Sequence, residues 1–327
     1  MRWVQATLLL VACATAPPPP PKTNEVPAPP GVVEHRHYGS PPETLAKWAQ
    51  TLWPQMQREV DYPRVVDAGG NRTLEHWPDC DGEPAQLISE GEAYFQRGQY
   101  EPAAERYQAA LARSPRCYVA LMYLGDCAWK RNDPQAALVL YEKGIALNPN
   151  AFLLHYFRGD ALLAIGRGAE ARKSYVQALV LRPRRPSVLS NLKHASGRLG
   201  IVVRDEPFLP HAGIAQNGDH LDVDFDDGPW RAYALCKAQS RLKEHDQWSV
   251  TEEETCFGAL LDAYHAGSAP DPALDRLGRI ASDGLLGAFI VYEIASRISP
   301  DITLLLADGQ RGEVRRYIEH YVVQQTE

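Results

Sequence analysis

The amino-acid sequence predicts a mainly α-helical protein built around an α-solenoid, an array of stacked helical hairpins. Glycine recurs with a spacing of 34 residues, at Gly91, Gly125 and Gly159. Three more residue types keep this spacing: alanine at positions 103, 137 and 171, tyrosine at 107, 141 and 175, and proline at 115, 149 and 183. Self-similarity over such a period indicates a helical repeat array, whose usual task is binding rather than catalysis.

The amino terminus is predicted to be a signal peptide over residues 1–12. Met1 and Arg2 precede an apolar run at about 4–12, which is too short to cross a bilayer, since that takes about 20 residues. A short basic start and a short apolar stretch are typical of a secretory signal. Residues 10–13 resemble the bacterial lipobox, and the resemblance implies cleavage before Cys13 and acylation of that cysteine, for example with palmitate. The alternative is an ordinary cleaved signal followed by an incidental cysteine.

Residues 13–43 are predicted to form a proline-rich stalk behind the acylated cysteine. Proline occupies every position from 17 to 21, and this composition favours extended polyproline II at about 3.1 Å per residue. Ala14 stands where an aspartate would signal retention in the inner membrane. We therefore expect a lipid anchor in the outer membrane that holds the protein facing the periplasm, with the inner membrane as the alternative.

Charge and cysteine content narrow the function classes further. A formal net charge of -7 gives no reason to expect a nucleic-acid partner. After the signal, no stretch is apolar for 18 residues, so no transmembrane helix is predicted. Six cysteines are too few and too scattered for a disulfide scaffold. With Cys13 acylated, an odd number remains, so at least one is unpaired; Cys127 is expected to be a small core residue.

Residues 44–83 are predicted to contain one helix and a loop. Leu45, Trp48, Leu52 and Met56 follow a helical spacing, and Pro54 is expected to kink that helix. We expect the helix to pack on the first repeat. Residues 61–81 are predicted to be loop.

The three predicted repeats each contain two helices joined by a short turn. Their bounds are 84–117, 118–151 and 152–185, and a capping helix is expected at 186–200. In the first repeat, the helices are predicted at 88–96 and 101–112. Glycine in mid-helix costs roughly 1 kcal/mol against alanine, so the value of the three periodic glycines must be a close approach of neighbouring helices.

These residues resemble the tetratricopeptide repeat, a helix-turn-helix unit of the same length. The resemblance covers about 84–185, nearly a third of the chain. The second repeat departs from the family pattern at Ala128 and Gly144, and we expect its packing to be looser there.

The resemblance implies that the first helix of each repeat lines a concave groove. The residue after each periodic glycine is acidic, which places Glu92, Asp126 and Asp160 on that face. The aromatic and apolar neighbours expected beside them are Phe95, Met122, Trp129, Tyr156 and Leu163. Such a surface favours a protein or peptide segment with Lys or Arg and apolar anchors. The alternative is that the acids are ordinary solvent-exposed positions and that the aromatics pack between helices.

Residues 201–327 are predicted to be a separate, α-rich domain with a short β-hairpin. Asn217-Gly218 indicates a turn, and Leu221, Val223 and Phe225 alternate with aspartates as in a half-buried strand. Helices are then expected from Ser249 or Thr251 to about 265, from Asp271, over about 285–297 and over about 312–324.

The alternating aspartates Asp222, Asp224 and Asp226 are candidate metal ligands. Oxygen ligands two residues apart can bind calcium, but Gly228 comes one residue too late for an EF-hand loop. A solvated strand face is therefore the expected role. Two cysteines and two histidines, Cys236, His245, Cys256 and His265, have spacings that match no standard zinc site and are expected to be separate structural residues.

We therefore predict a membrane-anchored, periplasm-facing scaffold that binds a partner segment in the groove, in envelope or surface-machinery assembly. No catalytic residue, metal or cofactor is predicted, and the protein is not expected to be an enzyme. The alternative is a metal-dependent enzyme or hydrolase in residues 201–327 for which the repeats recruit substrate.

Overall fold

Three helical hairpins and a capping helix form the centre of the molecule. The computed structural model describes residues 27–53, 59–60, 62–243 and 248–326. The predictions for the signal peptide 1–12, Cys13, the proline run 17–21, Pro54, Met56 and His245 lie outside these residues. The seven central helices are α2 (Glu83–Gln96), α3 (Tyr100–Arg113), α4 (Tyr118–Lys130), α5 (Pro134–Leu147), α6 (Phe152–Ala164), α7 (Gly168–Leu181) and α8 (Pro186–His194). The predicted repeats and cap are confirmed.

The 34-residue spacing arises from contacts between glycine and tyrosine within each hairpin. A Cβ added at Gly159 would lie 2.7 Å from Cε1 of Tyr175, and Gly91 and Gly125 face Tyr107 and Tyr141 in the same way. The rings can be buried only because these positions lack a side chain.

The prediction of looser packing at Gly144 is wrong. A Cβ on Gly144 would lie 2.9 Å from Cδ1 of Leu154, and Leu154 itself is completely buried. The neighbouring repeat therefore fills the space that glycine leaves.

The predicted loop at 61–81 is instead a β-hairpin followed by one turn of 3-10 helix. Strands β2 (Pro63–Ala68) and β3 (Asn71–His76) pair antiparallel. The turn consists of Gly69 and Gly70, both with positive φ (67° and 93°), as two-residue hairpin turns require. In the sequence, the Gly-Gly pair between two short strand-forming stretches was the signal for this hairpin.

A three-stranded sheet joins the two ends of the chain. Strand β1 (Val32–His37) pairs parallel with β6 (His220–Asp226), and β5 (Ala212–Asn217) pairs antiparallel with β6. The predicted β5–β6 hairpin is confirmed, with its two-residue turn at Gly218 and Asp219, one residue later than predicted. The stalk predicted over 13–43 is wrong for residues 32–37, because they form β1.

Helix α1 (Pro42–Leu52) packs on this sheet and not, as predicted, on the first repeat. A Cβ on Gly213 of β5 would lie 2.5 Å from Cδ1 of Trp48. In addition, Thr51 Oγ1 accepts a hydrogen bond from the Ile214 N–H at 3.1 Å. The helix thus covers one face of β5.

Helices and a small sheet complete the carboxyl-terminal region. They are α9 (Ser196–Leu199), α10 (Trp230–Leu242), α11 (Val250–His265), α12 (Pro272–Ser282), α13 (Leu286–Ile290), α14 (Ser296–Ile298), α15 (Ile302–Leu305) and α16 (Asp308–Tyr317), with β4 (Ile201–Val203) paired to β7 (Val323–Gln325). The predicted starts of α11 and α12 are confirmed, because Ser249 and Asp271 accept hydrogen bonds from the first-turn N–H groups.

Two disulfides stabilise the fold. Cys80–Cys117 joins the turn after β3 to the start of α4, and Cys236–Cys256 joins α10 to α11. The prediction that Cys236 and Cys256 are separate is therefore wrong, whereas Cys127 is unpaired and buried, as expected.

One large hydrophobic core runs through the molecule. Buried side chains of α1, the repeats, the three-stranded sheet, helices α10–α14 and helix α16 belong to a single cluster, and Leu304 of α15 packs in a small second cluster with Phe152 and Leu181. Residues 201–327 therefore share their core with the repeats instead of forming a separate domain. Within the described residues, no helix has the length and apolar character needed to cross a membrane.

Candidate partner-binding groove

The eight predicted groove residues lie on the first helices of the three repeats. Two are on α2, three on α4 and three on α6, and we call the surface that they define the groove face. Their exposure differs: 37% of Trp129 is exposed, whereas Met122 is only 4% exposed. Phe95 packs edge-on against Tyr100, with ring centroids 5.3 Å apart. Trp129 is thus the main exposed aromatic side chain among the eight.

Each acidic residue of the groove face accepts a hydrogen bond from a tyrosine. Tyr141 donates to Asp126 Oδ1 at 2.8 Å, and Tyr175 donates to Asp160 Oδ1 at 2.6 Å. These are the tyrosines that pack against the preceding glycines, so one side chain uses its ring for the glycine and its hydroxyl for the acid.

The first repeat has a different arrangement. Glu92 accepts its hydrogen bond from Tyr123 of the next repeat, while the Tyr107 hydroxyl is buried and has no hydrogen-bond partner among the described residues. The longer glutamate side chain therefore links α2 to α4.

Burial makes two of the three acids harder to ionise. It raises the pKa of Asp126 to about 6, although the hydrogen bond from Tyr141 and the charge of Lys130 oppose this. The pKa of Asp160 is also raised by burial, against hydrogen bonds from Tyr175 and Asn191. The carboxyl groups of Asp126 and Asp160 are already held in place by hydrogen-bond donors.

Tyr123 and Asn191 belong to the groove face but were missed in the sequence. Asn191 Nδ2 donates to Asp160 Oδ1 at 3.0 Å and to the Tyr156 hydroxyl at 2.7 Å. Tyr123, Phe157 and Asn191 are also spaced 34 residues apart. Extending the repeat spacing to every position, and into the capping helix, would have found both.

The beginnings of α4 and α6 are covered by the chain's own residues 59, 60, 62 and 63. Between this segment and the helices lies a cavity of about 190 Å³, whose lining includes Tyr62, Tyr118, Met122, Phe152 and Leu153. Met122 therefore faces this internal cavity. Tyr62 lies outside the repeats, so no repeat spacing could have indicated it.

The candidate metal ligands on β6 are engaged by histidines. Nε2 of His35 lies 3.0 Å from Asp222, and Nε2 of His37 lies 2.7 Å from Asp224. The Asp226 carboxylate accepts from Ser40 and lies 2.7 Å from Nδ1 of His211.

These contacts hold β1 and β5 to β6. The pKa of Asp222 is lowered, chiefly by the hydrogen bond from His35. In the part of the chain that the structure describes, no three His, Cys, Asp or Glu side chains are grouped to hold a metal ion. The face predicted to be solvated is thus a set of inter-strand pairs.

Several solved structures resemble part of the chain. One is the first TPR domain of human RPAP3, which is 24% identical. The match covers 35% of this chain and 91% of that chain, with a TM-score of 0.34. A second is the Yersinia enterocolitica type III secretion chaperone SycD, solved with a peptide of the translocator YopD. It is 23% identical, the match covers 35% of this chain and 88% of that chain, and the TM-score is 0.32. A third is PcrH from Pseudomonas aeruginosa, which is 21% identical. The match covers 35% of this chain and 87% of that chain, with a TM-score of 0.31.

Comparison by sequence identifies the same central region. No curated protein matches the sequence, but a family model does. A family model described as tetratricopeptide repeat matches residues 88–151 and 128–187. The matched residues include α3 to α7 and most of α2, that is, the hairpins that carry the groove face.

Proposed function

We propose that this chain, a tetratricopeptide-repeat protein, is a scaffold that binds a basic, amphipathic protein segment on its groove face. The observation that carries the proposal is the row Glu92, Asp126 and Asp160, one acid per repeat, beside the exposed Trp129. The acids are anchored by tyrosines, so little side-chain entropy is lost when a Lys or Arg binds them. Trp129 supplies an aromatic contact for an apolar anchor.

The test removes the three charges without breaking the tyrosine contacts. Lys substitutions would place a cation beside buried hydroxyls, so we choose Glu92→Gln, Asp126→Asn and Asp160→Asn, which still accept the hydrogen bonds. The probe is a synthetic 14-residue peptide of alternating Lys and Leu pairs, and its binding is measured by calorimetry. We expect the triple variant to bind it at least tenfold more weakly than the wild type.

A matched control removes equal charge elsewhere. Glu43, Glu105 and Glu313 are exposed, and the variant with Gln at these three positions should keep wild-type affinity. Equal loss in both variants would show a general charge effect, and no loss in the groove variant would refute the proposed site. The same peptide with Glu in place of Lys should not bind.

We further propose that the protein acts in the bacterial envelope, as a lipid-anchored component of envelope or surface-machinery assembly. The lipobox-like residues before Cys13 support this proposal. So do the two disulfides, which persist in oxidising compartments such as the periplasm and are rare in the cytosol.

The lipid anchor is tested by Cys13→Ser in cells grown with an alkyne-labelled palmitate. We expect the wild type to take up the label and to sediment with membranes, and the variant to do neither. Labelling of the serine variant would place the lipid on another residue. Sedimentation with outer rather than inner membranes in a density gradient tests the proposed location, and a crosslinker at position 129 would then identify the partner.

A further inference from the structure

Residues 59, 60, 62 and 63 lie across the beginnings of α4 and α6 in the manner of a bound peptide. The Glu59 carboxylate is 3.1 Å from Nη2 of Arg182 and 3.5 Å from Nη1 of Arg185. The backbone is recognised as well: the Val60 N–H donates to Asp301 at 2.8 Å. At the other end, the Pro63 carbonyl accepts from Asn148 Nδ2 at 3.1 Å. The segment is thus bound both through its backbone and through a side chain.

The two arginines form a fixed carboxylate site. Both guanidinium groups lie over the ring of Phe152, at 5.4 Å and 5.2 Å from its centroid, and stacked guanidinium groups gain stabilisation from the ring. Arg182 is only 4% exposed and also pairs with Asp301. Because Asp301 neutralises Arg182 independently, the site does not need Glu59 to remain folded.

An aromatic site lies beside the carboxylate site. The Tyr62 ring meets Tyr118 edge-on with centroids 6.4 Å apart, and its side chain also interacts with Tyr123. Tyr62 has a φ of +49°, a left-handed conformation that is unfavourable for a non-glycine residue. The cavity of about 190 Å³ next to this ring leaves space for more apolar volume. The aromatic site is therefore occupied by a strained residue that does not fill it.

We propose that this corner is a second peptide-binding site, for a segment with a carboxylate side chain followed three residues later by an aromatic one, and that Glu59, Val60, Tyr62 and Pro63 occupy it in cis. A partner segment of that chemistry, without the left-handed residue, would displace them. The site adjoins the groove face, because Met122 lines its cavity and Tyr123 contacts Tyr62. It has the opposite charge preference, because arginines and not carboxylates form it.

The test weakens the binding of the chain's own segment by substitution and then adds the same segment as a free peptide. The probe is a fluorescein-labelled, end-blocked peptide with the sequence of residues 59–63, measured by fluorescence anisotropy against the full chain. Glu59→Gln with Tyr62→Ala should bind it at least tenfold more tightly than the wild type, in which the chain's own segment competes. If the double variant unfolds, Glu59→Gln alone gives the same comparison, because Arg182 retains Asp301.

Two controls identify the contacts. A peptide with Gln in place of its Glu should bind the double variant at least fivefold more weakly, and so should the original peptide when Arg185→Ser is added. The Arg185 side chain is 41% exposed and lies outside the hydrophobic core, so this change should leave the circular dichroism spectrum unaltered. The proposal would be overturned if the folded Glu59→Gln, Tyr62→Ala variant did not bind the peptide. It would also be overturned if adding Arg185→Ser left the peptide affinity unchanged. Binding of the Lys-Leu peptide to the groove face should be unaffected by Glu59→Gln and by Arg185→Ser, which separates the two sites.

Discussion

A glycine, the acid after it and a tyrosine act as one unit in the second and third repeats. The ring of Tyr175 packs on Gly159 and its hydroxyl donates to Asp160. The spacing of these residues was visible in the sequence, and so was the position of the acids. Their hydrogen bonds were not, because a periodic pattern shows which positions are equivalent and not which side chains meet.

The glycine of this unit can be tested by Gly159→Ala. The added Cβ would meet the Tyr175 ring at 2.7 Å, and such overpacking costs about 1–3 kcal/mol, against a helix-propensity gain of up to about 1 kcal/mol. We expect the free energy of unfolding, measured in urea, to fall by roughly 1–2 kcal/mol.

Gly258→Ala is the matched control for that substitution. Gly258 is also within a helix, but nothing lies within 4 Å of its added Cβ. This change should leave the free energy of unfolding equal or raise it by up to about 1 kcal/mol. Equal behaviour of the two variants would contradict the role assigned to the periodic glycines.

The acid can be tested by its pH dependence. Because burial raises the pKa of Asp126 to about 6, the folded state binds this proton more tightly than the unfolded state does. The associated stability is present below the unfolded pKa near 4 and is lost as the pH rises through about 6. In urea, Asp126→Asn should therefore gain stability relative to the wild type on going from pH 4 to pH 7, and a pH-independent difference would refute this.

At the scale of elements, predictions succeeded where the pattern was local and repeated. The repeat helices and the β5–β6 hairpin were predicted from spacing, alternation and the Asn217-Gly218 turn. Strand β1 was missed because it follows prolines and its hydrogen-bond partner β6 is 187 residues away. The β2–β3 hairpin was missed although Gly69-Gly70 indicated its turn. Cysteine pairing could not be derived from spacing, because it depends on which elements meet.

The disulfide between the 3-10 turn and α4 gives a prediction about these elements. Cys80 and Cys117 are 37 residues apart, and closing a loop of that length stabilises the folded state by about 3–4 kcal/mol in the chain-entropy view. Replacing both with alanine should lower the free energy of unfolding by a comparable amount. A reductant should then destabilise the variant less than the wild type, since only Cys236–Cys256 remains to be reduced. Equal unfolding midpoints for the variant and the oxidised wild type would contradict the prediction.

At the scale of the whole molecule, the division into an array and a separate carboxyl-terminal domain does not hold. Composition and pattern change near residue 201, and that change predicted a boundary. However, β1 and α1 complete the sheet and core of the later region, and Trp53 donates to the buried Glu253. A boundary in sequence pattern marks a change in secondary structure, whereas a domain is defined by its core, which here is continuous.

The parallel pairing of β1 with β6 has a consequence for biosynthesis. The hairpins of the array can form as they emerge, because their contacts are local, but β1 must wait until β6 has been delivered. During that interval, the strand is an unpaired edge that can pair wrongly with other chains. Under the export proposed above, with the amino terminus crossing first, β1 would stay unpaired longest among the strands that the structure describes. A chaperone of exported chains would then bind there first.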